Sequence, residues 1–345
     1  GIPNTDTMKF KAIVGNPPYQ EVDGGGGSSA KPIYDKFVGI ASAIKSSFVS
    51  MIMPSRWMTG GKGLDDFRAA MLGNHHIRVL HDYLDASDCF ANVAIEGGIC
   101  YFLIDSGKEG PCQYFSHTSR GVSSVERYLD ADASDIVVRD AGALSILAKV
   151  TERTTRYLSE KVLPRNPYGV SGNSPQISAL PTEDAVKVFG RFDGSREIRY
   201  LPAGFTPSKG ADTMDTWKVF LSKADGAAGQ LGNPIPARII GRGVVGDTRT
   251  LCTETFLAIA PFATETEATN AVTYSRTRFF RFMVGIRKLK NMTRDTYKFV
   301  PQQDFTSGSH IDWSRPVAEI DAQLYAKYSL SAEEIAFIES MITVM

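Results

Sequence analysis

The first features of this 345-residue sequence are what it has little of: four cysteines, no long apolar run and a net charge of zero. The cysteines show no Cys-x-x-Cys spacing, which argues against a zinc site and against a disulfide framework. We therefore expect reduced thiols in a cytoplasmic protein and no bound metal. No run of about 18 apolar residues and no signal peptide is found, so neither a membrane span nor secretion is expected.

The net charge of zero hides an uneven distribution along the chain. Residues 1–150 carry 14 basic and 17 acidic side chains, whereas residues 151–300 carry 22 basic and 14 acidic ones, a net charge of +8. The last 45 residues carry 2 basic and 7 acidic side chains. An excess of this size in the middle of the chain indicates a surface that faces a polyanion, with a merely solvated basic face as the alternative.

The most distinctive stretch is an apolar strand, Lys9 to Gly15, that runs directly into Asn16-Pro17-Pro18-Tyr19. Open α/β sheets place their ligand chemistry at such strand ends. Each proline fixes its own φ and pushes the preceding residue into extended geometry, so two carbonyl groups have fixed directions. Two fixed acceptors beside an aromatic ring suit a planar amine, such as the exocyclic amine of a nucleobase. When both N–H groups are accepted, the nitrogen lone pair becomes available for attack.

Other candidate features follow along the chain. The Gly24 to Gly27 tract predicts either a mobile loop over the bound base or a flexible linker. A second strand, Phe48 to Met53, ends just before Arg56 and Trp57. Arg56 is a candidate nucleic-acid contact, and the alternative for this pair is ordinary packing of Trp57 against the next helix.

Two more strands are predicted, from Ile77 to Leu84 and from Ile99 to Ile104, with a hairpin-like turn at Gly97-Gly98 between them. Phe90 precedes that hairpin. The arrangement of strands and helices predicts an α/β fold for this part of the chain.

The run from Lys9 to Phe102 resembles the catalytic half of the type II-G restriction-modification methylases, gamma-class enzymes that methylate adenine in DNA. The resemblance implies a Rossmann-like sheet, S-adenosylmethionine as methyl donor, and transfer to the N6 amine of an adenine flipped out of the duplex. It assigns catalysis to the tetrapeptide Asn16-Pro17-Pro18-Tyr19 and places Phe90, with Tyr19, against the flipped base. RNA and protein-glutamine methyltransferases share the motif, and a DNA-binding specificity module without activity is the alternative from another class.

The same resemblance points to a missing part. Such enzymes hold the cofactor on a Gly-rich turn after the first strand, and a strand-helix-strand unit takes about 30 residues. Only 15 residues precede Asn16. We therefore expect a fragment that is inactive alone and needs an N-terminal half or a partner subunit. The open edge of the Lys9 strand would be covered by the residues before Met8 or by edge-to-edge pairing with a second copy.

The resemblance also organises the rest of the chain. Residues 1–117 are predicted to form the C-terminal half of the methyltransferase sheet, and residues 118–149 a connector. Residues 150–300 are predicted to form a mixed α/β target-recognition domain that binds double-stranded DNA, followed by a helical tail at 301–345. A helix from Ala143 to Val162 is expected to lead into the recognition domain. Within that domain, short strands are expected, among them Arg238 to Ile240, together with a helix from Thr264 to about Leu289.

The second of these helices begins a strongly basic stretch, because residues 276–298 hold eight basic side chains and one acidic one. We expect part of this stretch to contact DNA phosphates, with a solvated surface as the alternative. The predicted contacts are Arg276, Arg281, Arg287 and Lys288.

Overall fold

The computed structural model describes residues 10–21, 31–61, 63–90, 95, 97–131, 134–227, 230–232, 234–288 and 291–345. The chain divides into two compact units, Gly1–Ala141 and Gly142–Met345. This boundary falls inside the predicted connector, and the predicted helical tail is part of the second unit. No helix in the described part of the chain is long and apolar enough to cross a membrane.

A six-stranded sheet and two helices form the first unit. The strands are β1 (Ala12–Gly15), β2 (Phe48–Pro54), β3 (Ile77–Tyr83), β4 (Ile99–Asp105), β5 (Cys112–Thr118) and β6 (Gly121–Arg127). The helices are α1 (Tyr34–Ala43) and α2 (Asp65–Leu72).

The strand order in this sheet is β1-β2-β4-β3-β5-β6. β1 is parallel to β2 and β3 is parallel to β5, whereas β4 lies between β2 and β3 and is antiparallel to both. The α/β fold is therefore confirmed, and so is the hairpin expected between β3 and β4. The first four strands are contiguous in the sheet. β5 and β6 extend the sheet, and β6 lies in the stretch predicted to be a connector.

One face of this sheet is buried beneath the two helices. α1 turns Tyr34, Val38 and Ala41 inward, a spacing that puts all three on one helical face. They pack in a core that includes Trp57 and Phe102, both fully buried. This core fixes the positions at which β1 and β2 end.

The second unit combines two small sheets with helices, which confirms its predicted mixed α/β texture. Its strands are β7 (Val186–Phe192), β8 (Ser195–Leu201), β9 (Trp217–Ser222), β10 (Val244–Gly246), β11 (Thr250–Cys252) and β12 (Phe256–Phe262). Its helices are α3 (Gly142–Glu152), α4 (Glu265–Arg276), α5 (Arg278–Arg287), α6 (Val317–Lys327) and α7 (Ala332–Met341).

The strands of this unit form the three-stranded sheets β10-β9-β12 and β11-β7-β8. The rings of Phe189, Phe220 and Phe256 pack against one another in a core that both sheets share. This aromatic core is the apolar layer that a pair of small sheets needs in order to be stable.

Three sequence-based predictions for the second unit were wrong in detail. The predicted long helix is interrupted at Thr277, whose backbone is extended and whose hydroxyl caps α5 by accepting the Phe280 N–H. Arg238 to Ile240 is not a regular strand. α3 ends at Glu152, because the chain then turns into an extended stretch in which Tyr157 bridges to Pro301.

Candidate active site

The tetrapeptide Asn16-Pro17-Pro18-Tyr19 directly follows β1, whose last residue, Gly15, pairs with Met51 of β2. Pro17 is buried, Tyr19 is half-buried, and Asn16 and Pro18 are exposed. Pro17 thus anchors the tetrapeptide while the Asn16 amide stays accessible. This arrangement suits a ligand that approaches from solvent.

Tyr19 lies close to both Asn16 and the segment that carries Phe90. The Asn16 side chain is near enough to the Tyr19 hydroxyl to lower its pKa, although the net shift is upward. Burial and, second, the nearby Cys89 thiol raise the pKa of Tyr19. The fold therefore places Cys89, the sequence neighbour of Phe90, close to the tetrapeptide. The role of Phe90 beside the target base, which the resemblance implies, stays a prediction.

The backbone after Tyr19 is fixed by a short antiparallel bridge between Gln20 and Pro32. The Ile33 N–H donates to the Tyr19 carbonyl at 3.3 Å, and the Glu21 N–H donates to the Lys31 carbonyl at 3.0 Å. The ends of the predicted loop are thereby held together beside Tyr19. The Gly24 to Gly27 tract itself lies outside the described residues.

Phe90 is half-buried at the end of a short 3-10 turn after β3. Its N–H donates to the Ala86 carbonyl at 2.9 Å, and the Asp85 carboxylate accepts the Ser87 N–H at 2.9 Å. These local bonds fix the turn that presents the ring. The turn is followed by Gly97 and Gly98, both with positive φ, at the start of β4.

A buried ion pair lies behind this turn and was missed by sequence reasoning. The Arg139 guanidinium donates to both carboxylate oxygens of Asp82, at 2.6 Å each. The Ser55 and Tyr114 hydroxyls donate to the same carboxylate at 2.7 and 2.8 Å. Arg139 also donates to the Gly97 carbonyl at 2.7 Å. The only sequence signal was an acidic residue inside an apolar strand, which requires a partner when buried.

The Gly97–Gly98 turn is packed so closely at Gly98 that a side chain at this residue would clash. A Cβ at Gly98 would lie 2.1 Å from the Tyr83 carbonyl oxygen. The Ser55 N–H donates to the Gly98 carbonyl at 3.0 Å, which links the turn to the end of β2. The contacts among Arg139, Asp82 and Ser55 thus make this region rigid, and we call these three residues the support of the candidate site.

Arg56 lies at this support, half-buried after the end of β2. Its Nε is buried and has no hydrogen-bond partner among the described residues. Trp57 beside it is fully buried and donates its Nε1–H to the Cys100 thiol at 3.4 Å. Trp57 is therefore a core residue, while Arg56 keeps a donor that a ligand could satisfy.

The predicted DNA contacts on the basic stretch require a correction, because the structure buries most of them. Arg281 and Lys288 have no exposed surface, and Arg287 is 9% exposed. Arg281 donates to the Thr277 carbonyl, and Arg287 stacks over the Phe299 ring at 4.7 Å. A side chain held inside the protein in this way cannot reach a phosphate. Arg276 is half-buried and stays a candidate.

Comparison with known proteins gives a family match to the part of the chain that holds the tetrapeptide. Residues 2–90 match the Eco57I restriction-modification methylase family. A protein of Mycoplasma pneumoniae described as an uncharacterized adenine-specific methylase is 36% identical over 110 residues, which are 31% of this chain and 26% of that protein. This chain thus matches about a quarter of the relative's length.

Two solved restriction enzymes are similar over most of this chain. The type IIG restriction endonuclease BpuSI aligns with 86% of this chain and 49% of its own, at 12% identity and a TM-score of 0.31. The type IIL restriction-modification enzyme MmeI, solved in complex with DNA, aligns with 96% of this chain and 56% of its own, at 9% identity and a TM-score of 0.46. Residues 2–90 are thus similar to the Eco57I restriction-modification methylases, and the resemblance to adenine-specific methylases of such systems is confirmed.

Proposed function

We propose that this chain supplies the catalytic and target-recognition parts of a site-specific DNA adenine-N6 methyltransferase of a restriction-modification system. One observation carries the proposal: the tetrapeptide follows β1 with an exposed Asn16 beside a half-buried Tyr19, inside the segment that matches the Eco57I family. The net charge of +8 on residues 151–300, 22 basic against 14 acidic, favours duplex DNA over a protein-glutamine substrate.

In this proposal the Asn16 side-chain oxygen and the Pro17 carbonyl accept the two N–H groups of the adenine amine. The amine gains positive charge as it is alkylated, and preset oxygen acceptors stabilise that charge. A neutral amide also does not retain the proton that must leave. The Asn16 amide N–H group faces the Tyr19 oxygen in this proposal, which leaves the amide oxygen for the base.

Tyr19 and Phe90 provide the stacking surfaces for the flipped base. Flipping costs a few kcal/mol, and stacking on an aromatic ring contributes about 1–3 kcal/mol per base. Arg56, with its unpartnered Nε, is proposed as a contact to the nucleotide that carries the target base. Arg139 fixes the Gly97 carbonyl at the start of β4, in the connection between β3 and β4 that also carries Phe90.

S-adenosylmethionine would supply the methyl group, and Asn16 and its neighbours would face only the methyl end of it. The described residues after β1 form no Gly-rich strand-to-helix turn, so they do not fit the adenosine end. We propose that a preceding segment or a partner subunit provides this cradle and pairs along β1. β1 has β2 as its single strand neighbour among the described residues, and Val14 is 79% exposed.

The test measures transfer of tritiated methyl from S-adenosylmethionine to duplex DNA by this chain joined to its cofactor-binding half. Asn16→Ala should lower methyl transfer by roughly 100- to 1000-fold, because the lost acceptor acts as charge develops. DNA affinity should stay within about twofold of the wild type. Gln20→Ala, which removes an exposed amide four residues away in the same segment, is the matched control and should methylate normally. Near-normal methylation by the Asn16→Ala variant would overturn the proposal.

A further inference from the structure

Three exposed or half-exposed arginines of the second unit lie close together, and two of them share a single carboxylate. Arg196 of β8 and Arg238 both form ion pairs with Asp225, and Arg238 donates at 2.7 Å. Arg196 also donates to the Arg242 carbonyl at 3.2 Å, which places Arg242 beside the other two. We call Arg196, Arg238 and Arg242 the arginine cluster. The Arg238 side chain is 58% exposed and Arg242 is exposed.

The backbone segments that carry the arginine cluster are held together by Lys288. The Lys288 ammonium is fully buried and donates to the carbonyl groups of Asp225 and Ile239. It therefore joins the segment that carries the carboxylate to the segment that carries two of the arginines. Lys288 acts here from inside the protein, in contrast to the surface role expected from the sequence.

Two glycines allow these segments to approach each other. A Cβ at Gly241 would lie 2.0 Å from the Asp225 carboxylate, and one at Gly226 would lie 2.2 Å from the Arg238 carbonyl oxygen. The Ala227 N–H donates to that same carbonyl at 2.7 Å. The geometry of the cluster is thus set by close backbone packing, and an exposed loop of ordinary side chains would not impose it.

Charge and hydrogen-bonding capacity together identify the partner. Two arginines, Arg196 and Arg238, share the Asp225 carboxylate, while Lys288 donates to the Asp225 backbone carbonyl and Arg196 donates to that of Arg242. This region therefore holds four basic residues around one acidic side chain. A guanidinium has five N–H donors, so an arginine that shares one carboxylate keeps donors for a further anion. Planar guanidinium groups are well matched to phosphate oxygens, which they bind in a bidentate manner.

We propose that the arginine cluster is a contact surface for the backbone phosphates of duplex DNA. This inference rests on the proposed function, in which DNA is the partner. It assigns the phosphate contacts to the arginine cluster in place of the buried side chains of the basic helix. Asp225 and Lys288 are positioning residues in this surface. Arg238 and Arg242 make the contacts.

The experiment measures binding of a fluorescein-labelled 30-base-pair duplex to the full chain by fluorescence anisotropy, over a series of salt concentrations. Arg238→Ala with Arg242→Ala should weaken binding roughly tenfold at low salt and reduce the slope of log K against log salt by about 1.8. Lys187→Ala with Lys209→Ala is the matched control, since both lysines are exposed in the same unit and lie on other segments. It should change the affinity less than about twofold.

A charge-preserving variant separates a lost contact from a damaged fold. Arg238→Lys with Arg242→Lys should keep the salt slope and lose only a few-fold in affinity, because lysine keeps the charge without the bidentate geometry. Four results would each overturn the inference. Two concern the alanine variant: a loss of affinity equal to that of the control, or an unchanged salt slope. The other two are a reduced salt slope in the lysine variant and no DNA binding by the wild type. Methyl transfer by the Asn16→Ala variant tests the proposed function separately, so either result can fail alone.

Discussion

The buried pair of Asp82 and Arg139 gives a sharp test of how the first unit is held together. Asp82 has no exposed surface and the Arg139 side chain is 3% exposed, so Arg139→Met leaves a carboxylate inside the core with no cation. Breaking such a pair costs about 3–5 kcal/mol of unfolding free energy. Asp82→Asn in the same chain removes the charge and keeps an acceptor for the Ser55 and Tyr114 hydroxyls. The double variant should therefore regain about 1–2 kcal/mol relative to Arg139→Met.

Trp57 provides the assay, because it lies in the core of the first unit with no exposed surface. The chain has three tryptophans, so the variant Trp217→Phe with Trp313→Phe leaves Trp57 as the only tryptophan whose fluorescence reports unfolding. Urea unfolding followed by its fluorescence then gives the stability of the first unit without mixing in the second.

Lys36→Met is the control for this measurement. It removes an exposed ion pair with Glu21 in the same unit, whose side chains are 64% and 48% exposed. Such a pair contributes about 0–1 kcal/mol. A loss from Arg139→Met no greater than the loss from the control would refute the reasoning, and so would a double variant less stable than Arg139→Met alone.

Three further predictions concern pH, thiol chemistry and the cofactor. The rings of His81 and His117 meet at 2.9 Å between Nδ1 and Nε2, and burial lowers the pKa of both. The stabilisation that comes from keeping both rings neutral is complete above the unfolded pKa of about 6.5, and it is lost as the pH falls through the lower pKa values of the folded state. Unfolding followed by Trp57 fluorescence should therefore show declining stability from pH 7 to pH 5 in the wild type. The variant His81→Gln with His117→Gln should show a flatter profile. Cys89 is half-buried, whereas the other three thiols are buried. A thiol titration of the native protein should therefore show one accessible thiol, and Cys89→Ser should remove it. Calorimetric titration of the chain alone should show no S-adenosylmethionine binding at roughly millimolar concentration, and micromolar binding would contradict the expected absence of the cofactor cradle.

The sequence predicted best what depends on neighbours in the chain. β2, β3 and β4 are short apolar runs between turn residues, and their bounds agree with the predictions to within a residue or so. The tetrapeptide could be located because two prolines dictate local geometry whatever surrounds them. Its position at the end of β1 agrees with the prediction.

Long-range pairing was out of reach for the same kind of reasoning. Asp82 and Arg139 are 57 positions apart, and no local pattern connects them. The prediction of DNA contacts on the basic helix was wrong for a related reason. Helical spacing shows which side chains share a face, but every residue from Phe279 to Arg287 is buried, so all faces of α5 are covered. Only the tertiary structure decides which face meets solvent.

The central position of β4 determines which part of this chain can fold independently. β2 and β3 each pair with β4 and do not pair with each other, although both precede it in the chain. A polypeptide that ends before Ile99 would leave both strands without their common partner, and its sheet would fall apart into isolated edges. The segment 2–90 that matches the Eco57I family stops short of β4. That segment is therefore a unit of sequence relationship and not a unit of folding: during synthesis, the sheet can close only after residue 105 has been added.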